Sequence, residues 1–294
     1  MKTSEKITHC LWFDGQGEEA AKFYTSFFEN SKINKTTRYT EVGQEAHGQK
    51  PGSVMTVEFE VEGKTFLALN GGPIFKINPS ISFFINCETV AEVDAFWEKL
   101  SEGGEVLMPL DKYDYSDKYG WVEDKYGVSW QVILSKPEGD WRPKIIPSLL
   151  FTNEKSGKTK AAVDFYVSLF DNSKIGLVAP NDKPGAEGTT AFADFMLENQ
   201  WFAAMDSPNA PHDFGFNEGV SFVVHCENQE EIDYFWNKFT ENGGQESMCG
   251  WLKDKFGVSW QIVPKNIDDL IKFPKAMEAM MQMKKLDIET LEKA

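Results

Sequence analysis

The segment Gly120-Trp-Val-Glu-Asp-Lys-Tyr-Gly-Val-Ser-Trp-Gln131 recurs as Gly250-Trp-Leu-Lys-Asp-Lys-Phe-Gly-Val-Ser-Trp-Gln261, identical at nine of twelve positions. Working outward, Phe23-Tyr-Thr-Ser-Phe-Phe-Glu-Asn-Ser-Lys-Ile33 returns as Phe165-Tyr-Val-Ser-Leu-Phe-Asp-Asn-Ser-Lys-Ile175. Ser82-Phe83, Cys87-Glu88, Phe96-Trp97 and Gly103-Gly104 return in the same order as Ser221-Phe222, Cys226-Glu227, Phe235-Trp236 and Gly243-Gly244. Such ordered self-similarity means one unit duplicated in tandem. It also supplies an internal control, because a residue essential to shared chemistry should occur twice.

Hydrophobic periodicity supplies the elements. Ile7 to Phe13, Lys32 to Thr40, Val54 to Val61 and Thr65 to Leu69 read as strands, and Glu18 to Phe28 as an amphipathic helix. The same order follows from Ile81 to Leu134, with Val93, Phe96, Trp97 and Leu100 on one helix face. Each half thus spells β-α-β-β-β twice, and the chain contains four such modules. The expected domains are 1–137 and 144–265, joined by the turn-rich Lys136-Pro-Glu-Gly-Asp-Trp-Arg-Pro143, with a helical tail over 266–294 broken at Pro274. The methionine-rich tail is expected to pack either on its own domain or on a second copy, as in a homodimer.

The 294 residues are 41% hydrophobic and 14% aromatic, enough to bury a core in each half. A net charge of −16 repels phosphate backbones and anionic lipid, so neither nucleic acid nor membrane is an expected partner. Met1 to Lys6 carries no apolar signal core, and a cytoplasmic location is expected. Cys10, Cys87, Cys226 and Cys249 lack CxxC spacing and read as reduced, buried thiols.

Asp14-Gly15, Glu18-Glu19-Ala20, Phe23-Tyr24, Asn30-Ser-Lys-Ile33, Asn70-Gly71-Gly72-Pro73 and Asp124-Lys-Tyr-Gly-Val-Ser-Trp-Gln131 together resemble the PhnB-like branch of the glyoxalase/bleomycin-resistance, or vicinal oxygen chelate, superfamily. The branch often carries the label demethylubiquinone methyltransferase-like. The resemblance covers both halves. It implies an α+β fold in which paired β-α-β-β-β modules build a curved mixed sheet around a cavity. It implies little about activity, because that scaffold hosts lyases, dioxygenases, epimerases and antibiotic-sequestering proteins.

Metal-dependent members place ligands on the first strand and near the end of the last strand of each module. Carried over, the first half offers His9, a position near Phe66 to Ala68, Ser82 and Gln131; the second offers Pro147, a position near Phe202 to Ala204, Ser221 and Gln261. Gln131 and Gln261 stand where a carboxylate ligand is expected, and divalent ions prefer carboxylate or imidazole to a neutral amide. No metal and no cofactor are therefore expected. The strand phase predicts His9, Ser82, Ser129 and Gln131 facing one cavity and Ser221, Ser259 and Gln261 facing the other, with Trp130 and Trp260 toward the helices. Each glutamine then needs a partner, either a ligand or a fixed structural hydrogen bond.

Gly15-Gln-Gly17-Glu-Glu-Ala20 matches a dinucleotide or methyl-donor fingerprint, but Asp14, Glu18 and Glu19 surround it with negative charge and the second half lacks it. It reads as a tight turn into a helix, which weakens the methyltransferase label. The acidic insertion Pro109 to Tyr119 reads as a solvated loop whose Tyr113, Tyr115 and Tyr119 suit a lid. His47, His212 and His225 read as loop or surface histidines. The expectation is a small-molecule-binding protein; the alternatives are a metal-dependent lyase or dioxygenase of the superfamily, and an oligomerisation module. Whether it catalyses a reaction stays open.

Overall fold

The computed structural model describes residues 5–135 and 141–294. Met1 to Ser4, and the Lys136 to Asp140 part of the expected linker, lie outside the described residues. The chain runs through four modules. The first holds β1 (Ile7–Phe13), α1 (Gly17–Thr25), β2 (Lys32–Arg38), the short α2 (Gln44–His47), β3 (Val54–Val61) and β4 (Lys64–Asn70). The second holds β5 (Ile81–Cys87), α3 (Val90–Ser101), β6 (Glu105–Tyr113), β7 (Ser116–Glu123) and β8 (Ser129–Leu134). The third holds β9 (Ile145–Phe151), α4 (Thr159–Leu169), β10 (Lys174–Pro180), β11 (Thr190–Leu197) and β12 (Gln200–Asp206). The fourth holds β13 (Val220–Cys226), α5 (Gln229–Thr240), β14 (Gln245–Glu246), β15 (Trp251–Lys253) and β16 (Ser259–Pro264). The tail adds α6 (Ile267–Leu270), α7 (Pro274–Gln282) and α8 (Ile288–Lys293). Pro274 opens α7, where its missing N–H costs nothing.

The modules do not pair as they follow one another in sequence. One mixed eight-stranded sheet has the order β14-β15-β16-β13-β1-β4-β3-β2, the other β10-β11-β12-β9-β5-β8-β7-β6. The first joins the first and fourth modules through the antiparallel pair β1–β13; the second joins the middle two through β5–β9. Two compact units result, residues 1–76 with 217–294, and residues 77–216. The expected domains 1–137 and 144–265 are the sequence repeats, whereas each compact unit takes one module from each repeat. The modules meet through their first strands, β1 with β13 and β5 with β9, and each of the four modules has such a strand to offer. Periodicity cannot choose among them.

The outer unit, 1–76 with 217–294, carries α1 and α5 on one sheet face. An aromatic chain fixes this: Tyr24 of α1 stacks on Phe59, Phe59 on Phe66, and Phe239 of α5 on Trp260. The opposite face buries Cys10, Val223 and Val263 under Leu286, Met280 and Met283 of the tail. The tail thus packs on this unit, and Cys249 and Gly250 donate backbone hydrogen bonds to the carbonyls of Met283 and Lys284.

The inner unit, 77–216, is built alike. Phe83 packs on Trp130 beneath α3, and Tyr166 of α4 stacks on Phe195 and through it Phe202. The acidic insertion is not a solvated loop. It extends β6 and β7 into a long hairpin that contributes Tyr113 and Tyr119 to the sheet face opposite the helices. Among the described residues, no helix is long and apolar enough to cross a membrane.

Candidate functional site

The repeated motif that defines the duplication closes the same turn twice. Asp124 Oδ1 accepts from the backbone N–H groups of Tyr126 and Val128 at 2.8 and 3.1 Å, and its Oδ2 accepts from Trp130 Nε1 at 2.8 Å. Asp254 does the same with Phe256, Val258 and Trp260 at 2.8, 3.1 and 2.9 Å. Both aspartates are buried, so three donors per carboxylate offset its desolvation. The leading glycines serve different ends. A Cβ at Gly120 would meet the Trp97 ring at 2.4 Å, while Gly250 adopts φ +83°, which a side chain resists.

His9 is buried on the helix face, edge-on to Phe66 at 5.1 Å and to Phe222 at 5.8 Å. This corrects its expected cavity position. In register, His9 lies opposite Phe222 and Cys10 opposite Ser221, and a one-residue difference reverses the face. Burial, with a smaller push from Lys64, lowers the His9 pKa to about 3, so its imidazole is neutral at ordinary pH. Pro147, its repeat equivalent, lies opposite Phe83 in the inner unit. The position is a packing slot, which is why proline serves there equally well.

The other expected residues fall into two clusters. In the inner unit Gln131 Nε2 donates to Ser82 Oγ at 2.8 Å, Tyr119 Oη donates to Gln131 Oε1 at 2.6 Å, and Trp121 Nε1 donates to Ser129 Oγ at 2.7 Å. Tyr113 and Tyr115 pack against the Tyr119 ring at 5.4 and 5.1 Å. Phe84, Ile146 and Trp201 complete an apolar layer. Burial raises the Tyr119 pKa well above the ordinary phenol range and pushes that of Tyr115 up to about 12. Both phenols therefore stay neutral, and Ser82, Ser129, Gln131 and Tyr119 are each engaged by a neighbour, while Ser148 Oγ, opposite Ser82, has no hydrogen-bond partner among the described residues.

In the outer unit Gln261 Nε2 donates to Ser221 Oγ at 3.1 Å, and Cys10 lies opposite Ser221 in register. Here Cys249 stands where the first repeat has Tyr119, so no phenol covers the glutamine. Trp251, the equivalent of Trp121, instead sits edge-on to Trp12 at 5.9 Å. Ser259 Oγ consequently has no hydrogen-bond partner among the described residues, although the residue is 1% exposed. The residue lies at the floor of a half-open pocket of about 320 Å³ that Trp12, Phe75, Cys249 and Trp251 also line. Trp12 is fixed by donating Nε1 to the Gly72 carbonyl at 2.7 Å, and Gly71 is required beside it, since a Cβ there would fall 2.1 Å from the indole. The sequence missed Trp12, Phe75 and Cys249 as lining residues. The Tyr119–Cys249 difference between repeats was the available signal.

These donors do not suit a divalent metal. The helix-free faces offer Ser, Gln, Tyr and a Cys10 thiol that burial pushes up to about 11, all neutral, and the two carboxylates at the outer pocket, Glu218 and Glu246, are paired with Lys253 and Lys284. Among the described residues, no three His, Cys, Asp or Glu side chains stand together as a ligand set. The methyl-donor-like turn is also occupied: Gly17 N–H donates to Asn70 Oδ1 at 2.8 Å. His47 and His212 bond local groups, Val42 O and Ser207 Oγ. His225 is no surface residue; it lies in β13, 3.0 Å from Thr8 Oγ1, with a pKa that burial lowers to about 4.

Two mixed sheets, each of paired β-α-β-β-β modules, define a glyoxalase-like, vicinal oxygen chelate protein. A family model described as 3-demethylubiquinone-9 3-methyltransferase matches residues 5–133 and again 143–263, so the chain belongs to this PhnB-like family in two tandem copies. A solved Bacillus cereus protein described as a putative 3-demethylubiquinone-9 3-methyltransferase, PhnB protein, is 41% identical over 45% of this chain and 100% of its own, with a TM-score of 0.41. Glyoxalase I from Zea mays is 12% identical over 95% of this chain and 97% of its own, with a TM-score of 0.55. A putative dioxygenase from Bacillus subtilis is 11% identical over 98% and 94%, with a TM-score of 0.52. The last two show likeness of fold alone. No curated protein matches the chain.

Proposed function

We propose that this protein binds a small organic ligand on the helix-free face of its outer unit, without a tightly held catalytic metal. Ser259 is the polar group of this reading that lines the pocket, Ser221 and Gln261 are the bonded pair that stands behind it, and Ser82, Ser129 and Gln131 are their structural counterparts in the inner unit. The observation that carries it is the buried Ser259 hydroxyl, without a partner among the described residues, at the floor of a pocket of about 320 Å³. Leaving such a group unsatisfied costs about 1–3 kcal/mol, which a ligand would recover. The cavity is at the small end of the roughly 300–1,000 Å³ usual for ligand sites, and its aromatic walls suit an organic molecule. The methyl transfer in the family description is not part of the reading. A cytoplasmic setting and the absence of nucleic-acid or membrane partners go with it, supported by the net charge of −16.

Native mass spectrometry of the full chain tests this. The expected result is a bound mass that is lost on denaturation and depleted in a Ser259→Phe, Gln261→Leu variant. A bare chain mass, or a bound mass indifferent to both substitutions, would overturn the proposal.

A further inference from the structure

Resting on that reading, the chemistry of the outer pocket goes further and narrows the ligand. We infer that it takes a flat aromatic molecule of one or two fused rings, neutral or cationic, with a hydrogen-bond acceptor on the ring edge directed at Ser259.

Shape comes first. Trp12 and Trp251 meet with their ring planes at 77°, forming an aromatic corner. A flat ring laid on one indole presents its edge to the other, the offset and edge-on geometry that aromatic quadrupoles favour. An aliphatic chain would fill the same volume without that complementarity. The volume of about 320 Å³ leaves no room for a nucleotide-sized ligand with its hydration.

Charge comes second. Among the described lining residues, Glu218 and Glu246 are carboxylates and Lys253 is the one cation. The Lys253 ammonium is held by Glu218 at 3.0 Å, so an incoming anion meets a cation that is already engaged. Glu246 accepts from Trp236 Nε1 at 3.1 Å and is paired with Lys284 at 3.4 Å, so both carboxylates are balanced and the selection against anions rests on the aromatic walls. Indole faces supply this selection, since they attract cations and repel anions.

Polarity comes last. Among the described residues that line the pocket, Ser259 has a buried hydroxyl without a hydrogen-bond partner, and that hydroxyl can donate. An acceptor nitrogen or oxygen on the ring edge satisfies it. At the equivalent position of the inner unit Trp121 Nε1 already engages Ser129 Oγ, and Tyr119 stands where the outer unit has Cys249; the unpartnered hydroxyl there is Ser148 Oγ, opposite Ser82.

Three probes of one shape and different charge test the assignment by tryptophan fluorescence quenching on the full chain: quinoline, 1-methylquinolinium and quinoline-2-carboxylate, at mildly alkaline pH. The expected order is quinoline and 1-methylquinolinium binding at millimolar or lower concentration, with the carboxylate at least about tenfold weaker. Ser259→Ala should weaken quinoline about three- to tenfold and leave 1-methylquinolinium within about twofold, because only quinoline has a ring acceptor. Trp251→Leu should weaken both, with thermal unfolding confirming that each variant is folded. Equal or tighter carboxylate binding, no saturation by any probe, or indifference of quinoline to both substitutions would overturn the assignment. A co-purified ligand that proved aliphatic or anionic would overturn it too, while leaving the ligand-binding proposal intact.

Discussion

Trp130 Nε1 donates to Asp124 Oδ2 across 2.8 Å, and that one bond joins the turn before the last strand to the aromatic layer under the helices. The same carboxylate holds two backbone amides, and the arrangement recurs at Asp254 and Trp260. The Asp–Trp pair at the centre of the most faithfully repeated stretch is therefore an architectural clasp, while the second copy of that stretch also lends Trp251, Lys253 and Ser259 to the outer pocket.

Removing the clasp should be costly in either unit. Asp124→Ala or Asp254→Ala leaves three buried donors without their acceptor, and a loss of about 2–4 kcal/mol is expected. Denaturant unfolding monitored by tryptophan fluorescence measures it. A loss below about 1 kcal/mol for either variant would show that neighbouring groups or solvent replace the carboxylate.

The inner unit's phenol should matter through two separable effects. Tyr119→Phe removes its bond to Gln131 and should cost about 1–2 kcal/mol. Tyr119→Cys, which copies the outer unit's Cys249, also opens a cavity and should cost about 3–5 kcal/mol. If the two variants were equally stable, the ring would not be filling the face as described.

Stability should fall on acidification because of two buried histidines. His9 and His225 have folded pKa values lowered to about 3 and about 4, against about 6.5 when unfolded. Between those limits the unfolded chain binds more protons, so stability rises with pH and is lost as pH falls from about 6.5 toward 4. Near pH 5 the pair should contribute at most about 2–3 kcal/mol per pH unit. His9→Phe, which suits a slot between Phe66 and Phe222, should remove about half that slope in urea titrations. An unchanged slope would mean that the imidazole reaches a protonated state without unfolding.

Thiol labelling should separate the four cysteines. Cys10, Cys87 and Cys226 are buried, with pKa values raised to about 11, 12 and 12, whereas Cys249 is half-buried and lines the outer pocket. Thiolate is the reactive form, so Cys249 should label first in the native protein and the other three only on denaturation. Saturating quinoline should slow Cys249 alone. Native labelling of Cys10 at a similar rate would show that the tail does not seal the face beneath Leu286.

Much of this molecule was legible in its residues. The duplication, the four β-α-β-β-β modules and the helical tail follow from repeats and hydrophobic periodicity, because those signals are local and each repeat corroborates the other. Trp130 and Trp260 toward the helices, and Ser82 and Gln131 away from them, follow from the period of two along a strand. The same rule failed for His9, because its phase relative to β13 depends on a pairing more than two hundred residues distant. Sequence determined what each module is. Tertiary structure alone decided which modules share a sheet, since edge-to-edge pairing of like strands leaves no local trace. It also decided that one helix-free face is filled by Tyr119 while the other keeps Ser259 open, because whether a side chain fills a cavity depends on what stands across it.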